Sequence, residues 1–410
     1  MPSSHEKICI LGLGYIGLPT AAFIASKGHK VIGVDIDEEV VKNVNRGNTH
    51  FYEPNLDKIV KDSIKSKNLE ARNAPCNADI FIICVPTPFK KTKDNQFPKP
   101  DISLVEEAAL QIAPLLKEND LIILESTSPI GTTKHIKDLI SSEIDSGINV
   151  SYAYCPERVL PGNIIEELAS NDRIVGGIDE ESSEKAYNFL NRIVDGEVLK
   201  TNSQTAEMCK LAENSYRDVN IAFANELSLI CSENEIDDRY LIKIANRHPR
   251  VNILQPGTGV GGHCIAVDPW FLVSNNFEFS KLIRSAREVN DFKPVWVTKD
   301  IERNIKIFHD NHKRVPLVAC FGIAFKPDVS DLRESPSLSI VLSLSNSNHN
   351  IIVVEPNIKN HEYLKIESYK KAIKEADILC FLVNHKEFCS KDVHDTDSKI
   401  LLDYCGIYPE

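Results

Sequence analysis

Short, mostly apolar runs alternate with longer amphipathic stretches in both the first and the last third of the chain. The runs in the first third lie at 7–11, 31–35, 78–85 and 120–125, and those in the last third at 315–322, 350–355, 376–383 and 399–403. Apolar residues at consecutive positions, with helical segments between the runs, are typical of parallel sheets covered on both faces. The pattern therefore predicts an α/β protein.

Two long helical patterns occupy the middle of the chain. Residues 203–235 contain neither glycine nor proline, and a mostly helical stretch follows at 281–306. A segment rich in lysine and proline at 89–100 is typical of a loop. We predict two Rossmann-like doubly wound parallel-sheet domains joined by a central region of long helices. The predicted boundaries are 1–200, 201–306 and 307–410.

A glycine-rich turn at 12–17 follows the first apolar run and opens a helical pattern, and the next run ends in Asp35. A strand, this turn, a helix and an acid about 20 residues on form the dinucleotide-binding fingerprint. The helix N-terminus attracts the pyrophosphate, while the acid binds the ribose and repels a 2′-phosphate. The alternative is a glycine turn in an unrelated βαβ unit. The predicted NAD-binding residues here are Gly12, Gly14, Tyr15, Ile16, Gly17 and Asp35.

Composition and charge narrow the function further. The 410 residues are 42% hydrophobic, which is enough for two or three domains with real cores, and the net charge is -12. This charge argues against nucleic acid as the main partner. The 11 cysteines are scattered without a CxxC pair or metal-ligand spacing, so we predict neither disulfides nor a metal site. With no apolar signal region or membrane-spanning run, we expect a cytoplasmic protein without a membrane partner.

A second glycine-rich stretch, at 257–264, ends in a single cysteine, Cys264, and Asp268 follows four residues later. Glycine permits positive φ and a close approach of another molecule. A thiolate nucleophile needs such access. The stretch therefore predicts a loop that presents a catalytic thiol, with Asp268 beside it. The alternative is a glycine-rich turn that carries an incidental buried cysteine.

Other polar residues allow two interpretations each. Glu157 lies near the end of the strand predicted at 152–158, either as an exposed loop acid or as a catalytic group. Lys210 and Asn214 share one face of the long helical pattern, as a functional pair or as part of a solvated stripe. Lys326 and Arg333 follow the first strand of the last third. They are placed either to bind phosphates at strand ends or to form a charged surface loop.

Taken together, the motifs resemble those of the nucleotide-sugar 6-dehydrogenase superfamily, the UDP-glucose and GDP-mannose dehydrogenase group. The resemblance runs from residue 7 to about residue 403 and rests on segments at 12–17, 85–88, 126–127, 155–157, 210–214, 261–264 and 331–335. Within the group, 248–253 and 264–271 are similar to the branch that acts on UDP-N-acetyl-D-mannosamine. Sister branches act on UDP-N-acetylglucosamine or UDP-glucose and are the alternatives.

The resemblance implies that a sugar C6 alcohol is oxidised to the carboxylate with two NAD per turnover, for bacterial surface polysaccharide synthesis. Cys264 then resembles the nucleophile that captures the aldehyde as a thiohemiacetal, which becomes a thioester. Lys210 and Asn214 resemble the groups that steady the oxyanion. Asp268 is similar to the carboxylate that works with that lysine.

Two more residues resemble groups that act in hydrolysis. Thr127 is similar to the residue that holds the catalytic water, and Glu157 to the acid that assists cleavage of the thioester. The UDP-glucose branch carries a second glutamate four residues after the first, where this chain has Pro161. Either Glu157 acts with Thr127 and a water, or Lys210 shares the proton transfer.

The remaining implied contacts concern the ligands. Arg250 resembles an arginine that reaches the substrate of the neighbouring subunit, which implies a homodimer, and the C-terminal domain is expected to bind the UDP-sugar. The implied cofactor contacts beyond the glycine turn and Asp35 are Pro86, Thr87, Thr127 and Arg333. The implied substrate contacts are Glu157, Arg158, Lys210, Asn214, His248, Arg250, Asn252, Gly261 and Lys326.

Two rival functions follow from the same motifs. A two-electron dehydrogenase of the hydroxyacid type shares the Rossmann start and a helix with lysine and asparagine. It requires neither Cys264 nor a second Rossmann-like domain. A non-enzymatic NAD-binding regulator would keep Asp35 and the glycines, but it would not need Lys210, Asn214 and Asp268 together with the thiol.

Overall fold

The structure is a computed structural model, and it describes residues 6–90, 97–143, 147–389 and 398–407. The chain forms two compact units, Met1–Glu213 and Asn214–Glu410. The three-domain division with boundaries at 200 and 306 stays a prediction.

An eight-stranded sheet lies at the centre of the first unit, in the order β10-β9-β8-β7-β4-β1-β2-β3. Neighbouring strands are parallel except β8 and β9, where Ala153 pairs antiparallel with Gly177. Mixed pairing of this kind is common in large sheets. The strands of this unit, including a separate pair β5–β6, are β1 (Lys7–Leu11), β2 (Lys30–Val34), β3 (Leu69–Arg72), β4 (Ile80–Ile83), β5 (Phe89–Lys90), β6 (Lys99–Pro100), β7 (Leu121–Leu124), β8 (Ser151–Tyr154), β9 (Arg173–Gly177) and β10 (Val198–Asn202).

Helices cover both faces of this sheet. Alternate residues of β1 enter opposite apolar clusters: Ile8 and Ile10 join one cluster, and Cys9 and Leu11 join the other. Because side chains alternate along a strand, a run that is apolar throughout needs cover on both sides. The helices of the unit are α1 (Gly17–Ser26), α2 (Glu38–Asn45), α3 (Leu56–Lys65), α4 (Ser103–Ile112), α5 (Thr132–Ser141), α6 (Ile164–Ser170), α7 (Glu180–Leu190) and the start of α8 (Ser203–Glu233).

The second unit contains the rest of α8 and a smaller sheet. This sheet has four strands, all parallel, in the order β12-β11-β13-β14. They are β11 (Val318–Phe321), β12 (Ile351–Val354), β13 (Ile378–Phe381) and β14 (Ile400–Asp403). The helices are α9 (Asp238–Ala245), α10 (Asp268–Asn275), α11 (Lys281–His312), α12 (Pro336–Asn346) and α13 (Tyr369–Glu375). The predicted α/β fold with two largely parallel sheets is confirmed.

Some local predictions differ from the structure. The strand predicted at 152–158 ends at Tyr154, because Pro156 has no N–H to donate to a sheet. The helix predicted at 281–306 extends to His312 and includes Pro294. The loop predicted at 89–100 begins and ends in the antiparallel pair β5–β6, and residues 91–96 lie outside the described residues.

Within the described residues, none of the helices combines the length and the apolar character needed to cross a bilayer. The cytoplasmic location stays a prediction.

Candidate active site

The turn between β1 and α1 is held by two glycines and left open at a third. Gly12 has a φ of +91°, and an added Cβ would lie 2.7 Å from the Cys84 carbonyl oxygen. A Cβ on Gly17 would lie 1.8 Å from the Gly12 carbonyl oxygen, whereas one on Gly14 would meet nothing within 4 Å. The fold therefore requires Gly12 and Gly17, while Gly14 leaves room for a ligand to approach the backbone.

The groups around this turn fit a dinucleotide. Ile16, at the N-cap of α1, provides no side-chain hydrogen bond to the helix, and the positive end of the helix dipole at this turn attracts an anion. Asp35 is partly exposed at the end of β2, where its Oδ2 accepts a hydrogen bond from the Leu13 N–H at 2.9 Å. Tyr15 stacks on Phe51 with ring centroids 4.2 Å apart. A helix N-terminus, an open glycine and an oriented carboxylate together suit an NAD-type cofactor.

The loops after β4 and β7 are tied together at the same sheet edge. The Thr87 hydroxyl donates to the Thr127 carbonyl oxygen at 2.6 Å, and the Ser126 hydroxyl donates to the Val85 carbonyl oxygen at 2.7 Å. Pro86 lies between the tied residues. The predicted residues Pro86, Thr87 and Thr127 thus lie at the carboxyl ends of parallel strands, where ligands bind in open α/β sheets.

Glu157, after β8, belongs to a buried ionic cluster. Arg173 on β9 pairs with Glu125 at 2.9 Å and with Glu157 at 3.5 Å. The Cys84 thiol donates to Glu125 at 2.9 Å, and the Val159 N–H donates to Glu157 at 2.9 Å. The sequence prediction missed Glu125 and Arg173. Glu125 could have been found from the sequence, because it is the acid at the end of the apolar run at 120–125. In open α/β sheets, ligands bind at the carboxyl ends of the strands.

Burial raises the pKa of three groups in or beside this cluster. It raises the pKa of Glu157, and the charge of Glu125 acts in the same direction, while Arg173 and Lys210 offset part of the rise. Burial also raises the pKa of the Cys84 thiol well above its ordinary value and that of Cys155 to about 11. These two thiols therefore stay protonated at neutral pH and do not suit a nucleophile.

Two more predicted residues contact the first unit's polar groups. The ammonium group of Lys210 on α8 donates to the Glu157 carbonyl oxygen. Arg158 forms an ion pair with Glu213 at 2.8 Å and donates to the Asp172 carbonyl oxygen at 3.0 Å. The structure thus brings Lys210 to Glu157, while it engages Arg158 in a salt bridge of its own.

In the second unit, Cys264 is exposed at the end of the glycine-rich loop. Its carbonyl oxygen accepts hydrogen bonds from the Val267 N–H at 3.0 Å and the Asp268 N–H at 2.8 Å. Asp268 is buried at the start of α10, and its Oδ2 accepts a 2.5 Å hydrogen bond from the Asn214 amide. The predicted residues Asn214 and Asp268 are therefore in contact, and Asp268 lies four positions after the exposed thiol.

A buried polar network attaches both ends of this loop to helices. At its start, the Gly257 N–H donates to Asn225 Oδ1 at 2.9 Å, and Asn225 Nδ2 donates to Asn290 Oδ1 at 2.9 Å. At its end, Arg287 donates to the Ile265 carbonyl oxygen at 3.5 Å and to Asp218 at 2.6 Å. The sequence prediction missed this network, although an asparagine inside a long helix is a signal that its side chain is in use.

Close packing holds the middle of the loop. A Cβ on Gly261 would lie 2.5 Å from the Glu334 carbonyl oxygen, and the Gly262 N–H donates to the Arg333 carbonyl oxygen at 3.1 Å. Glycine is therefore required at position 261 for this close approach. The Arg333 guanidinium is exposed and pairs with Asp331 at 2.5 Å.

The other predicted substrate contacts lie on the surface of the second unit. His248, Arg250 and Asn252 follow α9 and are exposed. The Arg250 N–H donates to His248 Nδ1 at 3.4 Å. Lys326 is partly buried, with its ammonium group 5.8 Å from the Phe325 ring centroid. Their contact with a substrate stays a prediction.

One further group has the composition of a metal site. Asp328, His385 and Glu387 place one ligand atom each within 4.8 Å of one another. However, His385 Nδ1 accepts the Asp328 N–H at 2.9 Å, and Nε2 lies 3.2 Å from Glu355 Oε2. Both ring nitrogens are occupied by protein groups, so the group does not fit a metal ion.

Comparison with known proteins agrees with this arrangement. Three domains of the UDP-glucose/GDP-mannose dehydrogenase family match the chain: the NAD binding domain at 6–194, the central domain at 204–292 and the UDP binding domain at 319–410.

Three individual proteins show the extent of the similarity. The UDP-N-acetyl-D-mannosamine dehydrogenase of Campylobacter jejuni is 50% identical over 94% of this chain and 97% of its own. The NDP-N-acetyl-D-galactosaminuronic acid dehydrogenase of Ralstonia nicotianae is 46% identical over 98% and 96%. The solved structure of the UDP-D-ManNAc dehydrogenase of Pyrococcus horikoshii superposes with a TM-score of 0.89 at 36% identity, covering 98% of this chain and 96% of that one. These findings confirm the resemblance seen in the motifs. The chain therefore belongs to the UDP-glucose/GDP-mannose dehydrogenase family and is an oxidoreductase with an NAD-type cofactor.

Proposed function

We propose that this protein oxidises the C6 alcohol of UDP-N-acetyl-D-mannosamine to the carboxylate and reduces two NAD in each turnover. The observation that carries the proposal is the exposed thiol of Cys264 on an anchored loop, followed by the Asn214–Asp268 pair, in a chain 50% identical to a dehydrogenase named for that substrate. The product's use in surface polysaccharide synthesis stays a prediction.

The thiol explains how an alcohol can become an acid. In the first oxidation, C6 loses a hydride and its hydroxyl loses a proton, which leaves an aldehyde. The Cys264 sulfur then bonds to C6, and the thiol proton passes to the carbonyl oxygen to give a thiohemiacetal. Loss of a second hydride and a proton gives a thioester. Water adds to this carbonyl, the C–S bond breaks, and the thiol and the carboxylate are released. NAD, when bound, supplies the hydride acceptor for both oxidations.

An oxyanion forms when the thiol adds and again when water adds. Lys210 and Asn214 are one helical turn apart on α8, and we assign them to stabilise this charge. The Asp268 carboxylate fixes the Asn214 amide at 2.5 Å, so the donor is oriented before the charge develops. Preorganised donors of this type are worth about 2.7–4 kcal/mol each in other enzymes.

We assign hydrolysis of the thioester to Glu157 as the general base, with Thr127 holding the water. The raised pKa of Glu157, caused first by burial, makes its carboxylate a stronger base than an exposed glutamate. A base whose pKa lies closer to the working pH transfers protons more effectively.

The cofactor is proposed to be NAD rather than NADP. Asp35 is held at the end of β2 by the Leu13 N–H, and its negative charge would oppose a 2′-phosphate. We further propose that Gly12, Gly14, Tyr15, Ile16, Gly17, Pro86, Thr87, Thr127 and Arg333 contact the cofactor.

The sugar is proposed to carry an N-acetyl group. The exposed His248 and Arg250 can donate hydrogen bonds to the buried amide, which would cost about 1–3 kcal/mol if left unpaired. A site built for this amide should reject UDP-glucose by several orders of magnitude. The proposed substrate contacts are Glu157, Arg158, Lys210, Asn214, His248, Arg250, Asn252, Gly261 and Lys326. UDP-N-acetylglucosamine and UDP-glucose are the alternative substrates.

We propose that the protein is a homodimer. Tyr216, Phe223 and Ile230 recur every seven residues on α8 and are 73%, 55% and 54% exposed, which forms an apolar stripe along one side of the helix. Arg250 is proposed to reach the neighbouring subunit's site. Mixing Arg250→Ala chains with Cys264→Ser chains should then restore part of the activity, because one hybrid site holds both native residues. Mixed dimers that form and remain inactive would contradict this role.

The function is tested with a panel of UDP-sugars and NAD, counting NADH per sugar consumed. We expect two NADH per UDP-N-acetyl-D-mannosamine, slow turnover of the gluco epimer and almost none of UDP-glucose. Cys264→Ser should still bind the nucleotide sugar, while acid formation falls to a few per cent or less. One NADH per sugar, or full acid formation by the Cys264→Ser variant, would reject the mechanism. Efficient oxidation of UDP-glucose would reject only the assigned sugar.

A further inference from the structure

Three charged side chains meet in the interior of the first unit. Glu125, Glu157 and Arg173 are 4%, 6% and 4% exposed. They come from the ends of β7 and β8 and from the start of β9. Charged residues are rarely buried unless they are paired, and here one cation serves two carboxylates. The cluster carries a net charge of -1 when both acids are ionised.

The two carboxylates do not share Arg173 equally. Glu125 lies 2.9 Å from one guanidinium nitrogen, and Glu157 lies 3.5 Å from another. Glu125 also accepts hydrogen bonds from the Cys84 thiol at 2.9 Å and the Thr20 hydroxyl at 3.4 Å. Glu125 is therefore well solvated by protein groups and holds the shorter contact to the cation.

Glu157 has fewer and weaker contacts within the cluster than Glu125 has. Besides the long contact to Arg173, its two oxygens lie 3.0 and 2.9 Å from the Val159 N–H. Its carboxylate is thus attracted by the guanidinium and repelled by the ionised Glu125. An opposite charge this close lowers a carboxyl pKa and a like charge raises it, so the two neighbours act on the pKa of Glu157 in opposite directions.

We propose that Glu125 and Arg173 are positioning residues that set the protonation equilibrium of Glu157. Arg173 orients Glu157 and favours its ionised form, and Glu125 limits that effect because it competes for the same guanidinium. A base whose pKa lies closer to the working pH accepts a proton from water more effectively, so this competition tunes how well Glu157 acts as a base. The inference rests on the proposed role of Glu157 in thioester hydrolysis.

Other titratable groups face Glu157 as well. Lys210 on α8 donates to its carbonyl oxygen, and Cys84 and Cys155 border the cluster. Both thiols are neutral over the working pH range because burial raises their pKa. None of these three groups changes in the variants below, so their effect on Glu157 is common to all of them.

The test measures kcat as a function of pH in the steady state, after the burst of NADH formed in the first turnover. The quantity compared is the pH at which kcat falls on the acid side of this profile, the acid limb. Glu125→Gln removes a negative charge while it keeps the side-chain shape. We expect the limb to move to lower pH by about one unit, because Arg173 then serves Glu157 alone. Arg173→Gln removes the cation, and we expect the limb to move to higher pH. Shifts in opposite directions are not a result that structural damage would produce.

A matched control is Glu207→Gln. Glu207 is another fully buried glutamate of the first unit, and its carboxylate accepts the N–H groups of Gly131 and Thr133 at 2.6 and 2.8 Å. We expect this variant to lose stability without moving the limb. If the Arg173→Gln protein does not fold, the shift of the acid limb in Glu125→Gln tests the inference by itself. A limb that stays in place, or moves upward, in a folded Glu125→Gln protein would overturn the inference.

A separate variant distinguishes the two proposals. Glu157→Gln should keep the burst of NADH and lower the rate of acid release by at least about 100-fold, since general bases contribute about 10²–10⁴-fold. Unchanged acid release would reject the assigned role of Glu157. Slow release, combined with an unmoved limb in Glu125→Gln, would reject only the influence of Glu125 and Arg173.

Discussion

The turn after β1 and the turn after β11 begin in the same way. Gly12 and Gly322 both have a φ of +91°. Each donates its N–H at 2.8 Å to the last residue of the adjacent strand, Val34 in the first sheet and Val354 in the second. Both turns therefore use the glycine-only backbone that opens a Rossmann-type βαβ unit.

The acids that follow differ in accessibility. Asp35 is partly exposed and keeps room for a ligand. Glu355, at the equivalent end of β12, is 4% exposed, accepts the N–H groups of Ile323 and Ala324 at 2.8 and 3.2 Å, and contacts the buried His385 at 3.2 Å. Glu355 is thus buried and hydrogen-bonded to groups of the protein itself, so it is not accessible to a ribose.

The helices that follow the two glycine turns differ in the same sense. The N-terminus of α1 has no side-chain cap. At α12, Ser335 accepts the Leu338 N–H at 3.2 Å and Pro336 occupies the first turn. No side chain therefore competes with an anion at the start of α1, whereas at α12 the Ser335 hydroxyl already accepts one of the first N–H groups. A βαβ unit thus becomes a dinucleotide site only where its polar groups are left open. We expect UDP contacts of the second sheet in the segment 323–335, which carries Lys326.

The largest effects should come from the glycines of the first turn. Gly17→Ala puts a Cβ 1.8 Å from the Gly12 carbonyl oxygen, so we expect a loss of more than about 3 kcal/mol or failure to fold. Gly14→Ala meets nothing within 4 Å, and stability should change by about 0.5 kcal/mol or less, while NAD binding weakens at least about tenfold. Urea unfolding and NAD titration check both. If Gly14→Ala binds NAD normally, the open glycine is not where the cofactor approaches.

Substitutions of Asp35 and Glu355 should affect different properties, the first the choice of cofactor and the second the stability of the fold. Asp35→Ala should narrow the preference for NAD over NADP with little change in the unfolding free energy. Glu355→Gln should lower that free energy by about 1–3 kcal/mol at pH 7, because a buried charge-assisted hydrogen bond is lost, and should leave the cofactor preference unchanged. Comparable kcat/KM ratios for the two cofactors in the unmodified protein would contradict the assignment of Asp35.

The effect of Glu355→Gln should depend on pH. Burial acts to raise the pKa of Glu355, but hydrogen bonds from His385 and from the Ile323 N–H outweigh it, and the pKa is lowered overall. A lowered pKa stabilises the fold above the unfolded-state value of about 4.3 and loses that contribution as the pH falls below it. The difference between the native protein and Glu355→Gln should therefore shrink between pH 7 and pH 3. A constant difference would show that the carboxylate's charge is not the cause.

The smallest effect in the comparison concerns the helix cap. Ser335→Ala should lower the unfolding free energy by about 1 kcal/mol, because the Leu338 N–H loses its acceptor and the Ile323 carbonyl oxygen loses a 2.8 Å donor. Ser368→Ala at α13 is a matched control, since its bond to the exposed Lys371 N–H is 3.4 Å, and it should cost less. Equal losses would mean that burial of the cap does not matter here.

The sequence by itself determined the features that depend on neighbouring residues. Apolar runs predicted β1, β4, β7 and the strands of the second sheet, because side-chain periodicity and propensity act locally. It did not predict β3, β9 or β10, whose alternating polar residues or glycines weaken that signal. Glycine turns at 12–17 and 257–264 were visible because their chemistry lies in the backbone.

Only the tertiary structure decided which polar groups meet. Glu125 and Arg173 are 48 residues apart, Asp218 and Arg287 are 69 apart, and Glu355 lies 30 residues before His385. The same Rossmann pattern also left Asp35 accessible and buried Glu355. Such contacts follow from how sheets and helices pack, and the energy of a buried charge depends on its partners in space rather than on its neighbours in sequence.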